Sequence, residues 1–585
     1  MCGIYGITAK DPEFINQYID KCSHRGPDGR GTWGDDTVTL GHNLLSIMAD
    51  PGASRQPWIT PKRNILVYNG EIFNYYELKA KYKQFIDTTG CDTELLAWGL
   101  DNFGLNFIDE IDSMHGFAYY NTKKKEIILS RDHAGIKPVF YAEVKEGLIF
   151  GSEIKGMLDK VPNARSIDRL AMSCLGHTGI NATRHSIFRG IKKLLAGETI
   201  VYDVANKRIK EHKRFFIKPI SNKEFDPEEF RNMVHKTVKM CSIGQRKIGV
   251  FLSGGLDSSM VAYELNKLMP PAITFTNRIA PCPPADHEDY NSDAKMAELL
   301  AKENKFLHTE VQITPRTIIN SWNDAIYYME QPMYNQSIAM YCYTNQYLSN
   351  NGIVVTMAGD MGDEILGGYP KYWKMRQRKY LKSILKHDKI RKWKDVITLW
   401  GGRIKRPLLV SDVGGDISKE DILEELARIY PDNLWNDADP IGSAMALDCI
   451  TQVPEEFFNR NDKYGMAYGM EGRFPLATKM FMQYCMNIPS WEKIGFYKTD
   501  TKNLTKRAYK DLLPKRIINK LKTGWTVPVG EWMTTNENAE LNSLYKASLG
   551  DNSGLDIIKT SQKAGKALLP AWIINDWIKT YKIKI

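Results

Sequence analysis

The chain has 585 residues, 43% hydrophobic and 25% charged, with net charge +10, so it is several times larger than one core and composed like a soluble globular protein. No apolar run approaches membrane-spanning length and no basic-then-apolar leader opens the chain, which argues against a membrane-spanning or secreted protein. Nine scattered cysteines without a CxxC pair argue against a disulfide framework or a zinc site, so a reducing, cytoplasmic setting is expected.

The first element, MCGIYG, places Cys2 directly behind the initiator methionine. Small second residues are those from which the methionine is normally trimmed. Cys2 would then carry its own α-amino group, with pKa about 7.7–8.0, as a base beside its thiol. Up to about residue 160, short β-rich runs such as TVTLGHNLLSI, NILVYNGEIF and EIILSRD predict layered sheets, with helices near 12–22 and 91–102. The polar stretch 203–226 reads as the crossover to a second domain.

The texture then changes. DPEEFRNMVHKTVKMC predicts a helix with an Asp cap, KIGVFLS a buried strand and SSMVAYELNKLM a helix. AITFT, FLHTEVQI and IVVTMAG are further strands between helical stretches, an alternation that predicts a doubly wound parallel sheet. Residues from about 365 onward read as mainly helical. Within them, 371–395 holds eleven Lys/Arg against two Asp, either a solvated helical face or a patch for an anionic partner.

The loop Ser253–Ser259 (SGGLDSS) joins a buried strand to a helix through two glycines, which lets backbone N–H groups and hydroxyls cradle a phosphate. It lacks the Walker A spacing and lysine. Asp257 inside such a cradle would repel phosphate unless a cation intervenes, so Mg²⁺ is implied. The acidic turn AGDMGDEILGGY supplies Asp360 and Asp363. Strand ends in such sheets share one crevice, so Asp363 can share the metal with Asp257 while Asp360 faces the acceptor.

SGGLDSS followed by GDMGDEILGGY resembles the ATP-pyrophosphatase domain of the asparagine synthetases and β-lactam synthetases. The resemblance implies ATP held by Leu252, Ser253, Gly254, Gly255, Asp257, Ser258, Ala358 and Gly359, with Mg²⁺ on Asp257 and Asp363. The family's usual serine and glycine in the acidic turn are Ala358 and Met361 here. NRNDKYGMAYGMEGRFPLAT looks like a further family stretch, with Arg460, Asp462, Lys463, Glu471 and Arg473 in matching places and Thr478 in place of its final aspartate. TKNLTKRAY resembles the segment with the family's essential lysine, which places Lys502 there and leaves Lys498 and Lys506 as competitors. A lysine suits that role because a compact cation can neutralise charge building on departing pyrophosphate.

The motifs MCGIYG, HRGPDG, YNGEIFN, TGCDTE, RDHAGIKP and FGSEIKGM, in that order, resemble the glutaminase domain of class II glutamine amidotransferases. That resemblance implies Cys2 as nucleophile and Asn69 and Gly70 as the oxyanion hole. It puts Leu45, Ile47, Met48, Glu71 and Asp92 around glutamine, the two acids holding its ammonium. Leu44 stands where the family has an arginine for the glutamine α-carboxylate. Its loss removes roughly 1.5–3 kcal/mol, about tenfold to hundredfold in affinity, unless Arg25 or Arg55 substitutes.

The expected architecture is α/β: an N-terminal-nucleophile αββα sandwich (1–205) followed by an ATP-pyrophosphatase domain (225–585) with a helical C-terminal part. The expected reaction is ATP- and Mg²⁺-dependent amidation of aspartate through β-aspartyl-AMP, with ammonia from glutamine. Alternatives are another carboxylate acceptor, motivated by EQPMYNQSIAMY, or ammonia as the practical donor. Small-molecule substrates are expected, with no membrane and no nucleic acid, and a homodimer is left open.

Overall fold

The computed structural model describes residues 2–281, 287–384, 417–430, 432–522, 527–532, 540, 541, 543 and 568–584. The N-terminal half contains strands β1 (Gly3–Ile7), β2 (Gly29–Gly34), β3 (Thr39–Leu44), β4 (Trp58–Ile59), β5 (Ile65–Ile72), β6 (Ser113–Asn121) and β7 (Glu126–Arg131). It continues with β8 (Phe140–Val144), β9 (Gly147–Gly151), β10 (Lys192–Lys193), β11 (Glu198–Asp203) and β12 (Arg208–Arg214). They form two six-stranded sheets, ordered β10-β8-β9-β1-β3-β2 and β12-β11-β7-β6-β5-β4.

The period-two alternation of side chains builds the layers. Ile4, Val67, Leu129 and Phe150 meet between the sheets. On the outer face of the first sheet, Tyr5 and Ile7 pack on Phe14 and Tyr18 of α1 (Pro12–Lys21). Leu66 and Tyr68 pack outward on Leu95 and Leu96 of α3 (Asp92–Phe103), beside α2 (Tyr75–Lys81). The result is the expected αββα sandwich.

One expectation is corrected here. Residues 208–214, read from sequence as part of a crossover, are β12, antiparallel to β11 from Glu198↔Arg214 to Asp203↔Arg208. RIKEHKR is charged because it is an edge strand facing water, and charge on an edge strand blocks unwanted pairing, so its polarity mimics a linker.

The C-terminal half begins at α5 (Pro227–Cys241), where the Asp226 carboxylate accepts from the Glu229 N–H at 2.7 Å. Strands β13 (Ile248–Phe251), β14 (Ile273–Ile279), β15 (Leu307–Ile313) and β16 (Val355–Met357) fall where the alternation predicted them, and all pair in parallel. A fifth strand, β17 (Glu471–Arg473), pairs in parallel with β16 inside the region expected to be helical. Three residues are too few to show alternation, so sequence could not reveal it. The order β15-β14-β13-β16-β17 reverses direction between β13 and β16, the point at which open α/β sheets bind ligands.

The two halves share buried surface. Leu45, Ile47 and Met114 belong to the same core as Met260, Met357 and Phe474. Of the basic stretch, side chains up to Gln377 are described: Lys371 pairs with Asp448 at 2.5 Å, Arg376 donates to the Trp491 and Ile494 carbonyls, and Lys374 is exposed. Residues 385–395 lie outside the described residues.

Candidate active site

Cys2 is buried at the start of β1. Its backbone N–H donates to the Asn69 Oδ1 at 2.9 Å, and its Sγ lies 3.9 Å from the Leu45 carbonyl oxygen. The Asn69 Nδ2 is buried with no hydrogen-bond partner. Asn69 and Gly70 belong to β5, whose pairing with β6 fixes them opposite Gly116 and His115. A cavity of about 30 Å³ is lined by Cys2, Leu44, Leu45, Ile47, Met48, Gly70, Glu71, Asp92 and Glu471, together with neutral side chains and no basic one.

Its charges are held from outside. Asp92 accepts from the Tyr68 hydroxyl at 2.9 Å and the Ile72 N–H at 3.0 Å. Glu71 pairs with Arg473 of β17 at 2.9 Å, and Arg473 also pairs with Glu471 at 2.5 Å. Burial, beside Asp92 and Glu471, holds the Glu71 carboxyl well above its usual range despite Arg473. Burial likewise raises the Cys2 thiol. Neither Arg25 nor Arg55 lines this cavity beside Leu44. Arg25 donates from Nε to the Cys2 carbonyl at 3.1 Å, but its remaining nitrogens bind Asp462 and Glu153. Arg55 is exposed and does not line the cavity.

The second site lies at the C-terminal ends of β13 and β16. Gly254 turns the chain at φ +65°, and α6 (Leu256–Leu268) starts two residues later. The Ser253 N–H donates to the Ser258 Oγ at 3.1 Å, and the two hydroxyls are 2.9 Å apart. The acidic turn presses on this loop: a Cβ at Gly362 would fall 2.4 Å from the Asp257 carboxyl carbon. Between them opens a cavity of about 410 Å³.

Here carboxylates and lysines interleave. The Lys502 Nζ contacts Asp257 at 2.5 Å and Asp363 at 2.6 Å, while the Lys522 Nζ contacts Asp363 at 2.7 Å. Burial would raise the Asp363 carboxyl, but the two lysines outweigh it and hold it below the usual range. Asp257 is raised by burial, and its Oδ1 is buried without a partner. Asp360 accepts from the Asn461 Nδ2 at 3.1 Å. Two carboxylates that converge on one cation, one with a spare oxygen, suit a divalent ion whose remaining ligands come from phosphates and water. Among the described residues, no group of three or more His, Cys, Asp or Glu could hold a metal by itself.

Residues 229–562 match the asparagine synthase family model, more than half of the chain, and residues 1–216 match the glutamine amidotransferase domain. The chain belongs to the asparagine synthase family. Its relatives in this family of ligases include asparagine synthetase B (glutamine-hydrolyzing) of Escherichia coli, 28% identical over 554 residues, covering 92% of this chain and 84% of the relative. Asparagine synthetases (glutamine-hydrolyzing) 3 and 1 of Bacillus subtilis are 23% and 24% identical, the former over the full length of both chains, the latter over 94% of this chain and 91% of the relative.

Within this synthase fold, Ser253, Gly255, Asp257, Ser258, Ala358, Gly359, Asp360, Asp363 and Lys502 all line the larger cavity. Leu252 and Gly254 do not. The Leu252 side chain is in the core and its N–H donates to the Phe275 carbonyl at 2.9 Å. Of the competing lysines, Lys498 is exposed, and Lys506 lines the cavity but donates to the Thr499 carbonyl at 2.6 Å. Sequence reasoning missed Lys520 and Lys522, which also line the cavity. Lys520 pairs with Asp293 at 2.5 Å. Their only signal is a lysine pair in KLKTGW, invisible in a chain this rich in lysine.

Proposed function

We propose that the protein makes asparagine from aspartate, ATP and an amide nitrogen. The observation that carries this reading is the convergence of Asp257, Asp363, Lys502 and Lys522 on one cavity at the switch point of the sheet. In this reading Ser253, Gly255 and Ser258 cradle the ATP phosphates, with Ala358 and Gly359 as the opposite wall. The bound Mg²⁺, held by Asp257 and Asp363, would neutralise phosphate charge. The β-carboxylate of aspartate attacks the α-phosphorus, pyrophosphate leaves, and β-aspartyl-AMP forms, with Asp360 facing the acceptor. Lys502 and Lys522 neutralise the charge that accumulates on the leaving pyrophosphate. Ammonia then attacks the acyl carbon and expels AMP.

At the other site, removal of Met1 would free the Cys2 nitrogen as an α-amine beside the thiol. The thiol, its proton taken by that amine, attacks the amide carbon of glutamine. The Asn69 Nδ2 and the Gly70 N–H receive the oxyanion charge, and ammonia leaves as a thioester forms. Water then hydrolyses the thioester to glutamate. Glu71 and Asp92 hold the substrate ammonium, against a wall formed by Leu45, Ile47 and Met48. Measuring pyrophosphate release and asparagine formation with glutamine, ammonia and aspartate in parallel tests this. Absence of aspartate-dependent pyrophosphate release would refute it.

A second reading of the nitrogen source is favoured by one observation. The cavity beside Cys2 is lined by three carboxylates and no basic side chain, with Leu44 in place of an arginine. Glutamine then binds weakly and ammonia is the practical donor. Comparable asparagine yields from low glutamine and from ammonia would refute this second reading.

A further inference from the structure

A third cavity, of about 330 Å³, shares no lining residue with the two sites above. This is large enough for a small metabolite. It opens at the junction of the two halves. β6, β11 and β12 supply one wall and the segment 105–111 another, and Lys479, at the start of the helix Lys479–Asn487, reaches in from the C-terminal half.

The cavity is furnished with donors. Four cationic side chains line it against one carboxylate, Asp109. Three of the four donate to backbone carbonyls rather than to carboxylates, with Asp112, Asp109 and Glu110 near Lys479 and Glu198 near Arg214. Arg131 donates to the carbonyls of Lys137, Leu194 and Gly135. Arg214 donates to those of Ala196 and Ile429, and its guanidinium stacks on the Phe216 and Tyr430 rings, which do not line the cavity. Lys479 donates to the Asp109 carbonyl. The fourth, Lys213, sits on the exposed rim and pairs with Glu211 at 2.9 Å.

The floor adds one more donor. Ser113, His115, Ser130 and Thr199 form a chain, with Ser113 Oγ to His115 Nδ1 at 2.8 Å, His115 Nε2 to Ser130 Oγ at 3.2 Å, and Ser130 Oγ to Thr199 Oγ1 at 2.7 Å. Three hydroxyl protons and one imidazole proton serve three links, so one proton is always left over. If His115 carries it on Nε2, the spare is the Thr199 hydroxyl; if on Nδ1, it is the Ser113 hydroxyl. Both ends of the chain line the cavity.

We infer that this junction cavity binds a small phosphate-bearing anion, held by Lys213 and Lys479 and by a hydroxyl of the Ser113–Thr199 chain. Lys213 on the strand rim, Lys479 across the junction and a hydroxyl on the floor approach from different directions, which suits a tetrahedral anion with several acceptor oxygens. Because both halves contribute, the ligand ties them together and stabilises their docking.

The test is calorimetric titration of the full chain with inorganic phosphate, the nucleotide site being filled beforehand with a non-hydrolysable ATP analogue. A parallel arm uses succinate. The wild type should bind phosphate, and Lys213→Glu and Lys479→Gln should each weaken it by ~10-fold. Lys213 is exposed, so its variant keeps the fold, which unchanged ammonia-dependent synthesis confirms. No phosphate binding to the wild type, equal binding in wild type and variants, or succinate binding more tightly than phosphate would each overturn the inference.

Discussion

The two reaction cavities solve opposite electrostatic problems. Around the larger one, Asp257, Asp293 and Asp363 each have a lysine within 2.5–2.7 Å and Asp360 an amide partner, while Glu364 keeps a buried unpartnered oxygen and is pushed up to about 8 by burial. Around Cys2, three buried carboxylates have one guanidinium among them, that of Arg473, reaching in from the other half. Burial raises the Glu71 and Asp92 carboxyls, so an ammonium entering beside them would favour their charged forms. Arg473 also joins the two sites physically, since its carbonyl accepts the N–H of Ala358, beside the acidic turn, at 3.2 Å.

The sharpest way to separate the two regions is Cys2→Ala. Glutamine-dependent synthesis should fall by ~10³-fold or more while ammonia-dependent synthesis stays near wild type, read as asparagine formed with each donor. An equal loss with both donors would mean that the two cavities do not work independently. Lys502→Ala does the reverse. It leaves Asp257 and Asp363 without their shared cation and removes charge stabilisation from the leaving group. Pyrophosphate release should drop by ~10²–10³-fold with either donor, while glutamine hydrolysis to glutamate persists.

That opposition was only half visible in sequence. Strands β13 to β16, the Gly254 turn and the pairing of Asp257 with Asp363 follow from local patterns: buried β-branched runs, a Gly-Gly turn, acids at strand ends. Cys2 and Asn69 likewise come from ordered motifs that the fold assembles as expected. Long-range placement was illegible. Nothing local says that Arg473 lies on a three-residue strand and reaches Glu71, a separation of 402 residues. The same holds for Lys522, which only the fold brings to Asp363, and for Arg25, which looked available for a carboxylate until Asp462 was found to hold it from 437 residues away.

Leu44→Arg tests whether the small cavity lacks only a cation for the glutamine carboxylate. Leu44 is buried at the end of β3 and packs near Gly29, so an arginine there would point its charge at the carboxylate-rich wall. The expected result is a tenfold to hundredfold lower KM for glutamine, with kcat little changed and ammonia kinetics untouched, an effect of roughly 1.5–3 kcal/mol. An unchanged KM would show that the carboxylate is already held elsewhere and would remove the argument for ammonia as the practical donor.

The contrast between the halves also predicts how acid unfolds them. Burial pushes the His42 imidazole down to about 3 and that of His115 down to about 4, and both lie in the N-terminal half. In the unfolded chain each takes its proton near pH 6.5. Between that value and about 4 the unfolded state therefore binds more protons, so the stability these neutral rings allow is present above pH 6.5 and declines as pH falls. The lysine-held Asp363 of the other half is depressed below the ordinary carboxylate range, so its contribution is lost only at lower pH, below about 4. Melting followed from pH 7 to pH 4 should show the histidine contribution to the N-terminal half falling, by up to ~3 kcal/mol per histidine across that window, against the opposite contribution of the raised Glu71 carboxyl. His115→Gln keeps a hydrogen-bonding side chain but cannot take up the proton, so it should flatten the pH dependence of the melting temperature. A profile as steep as wild type would assign the acid sensitivity to other groups and dissolve this part of the contrast.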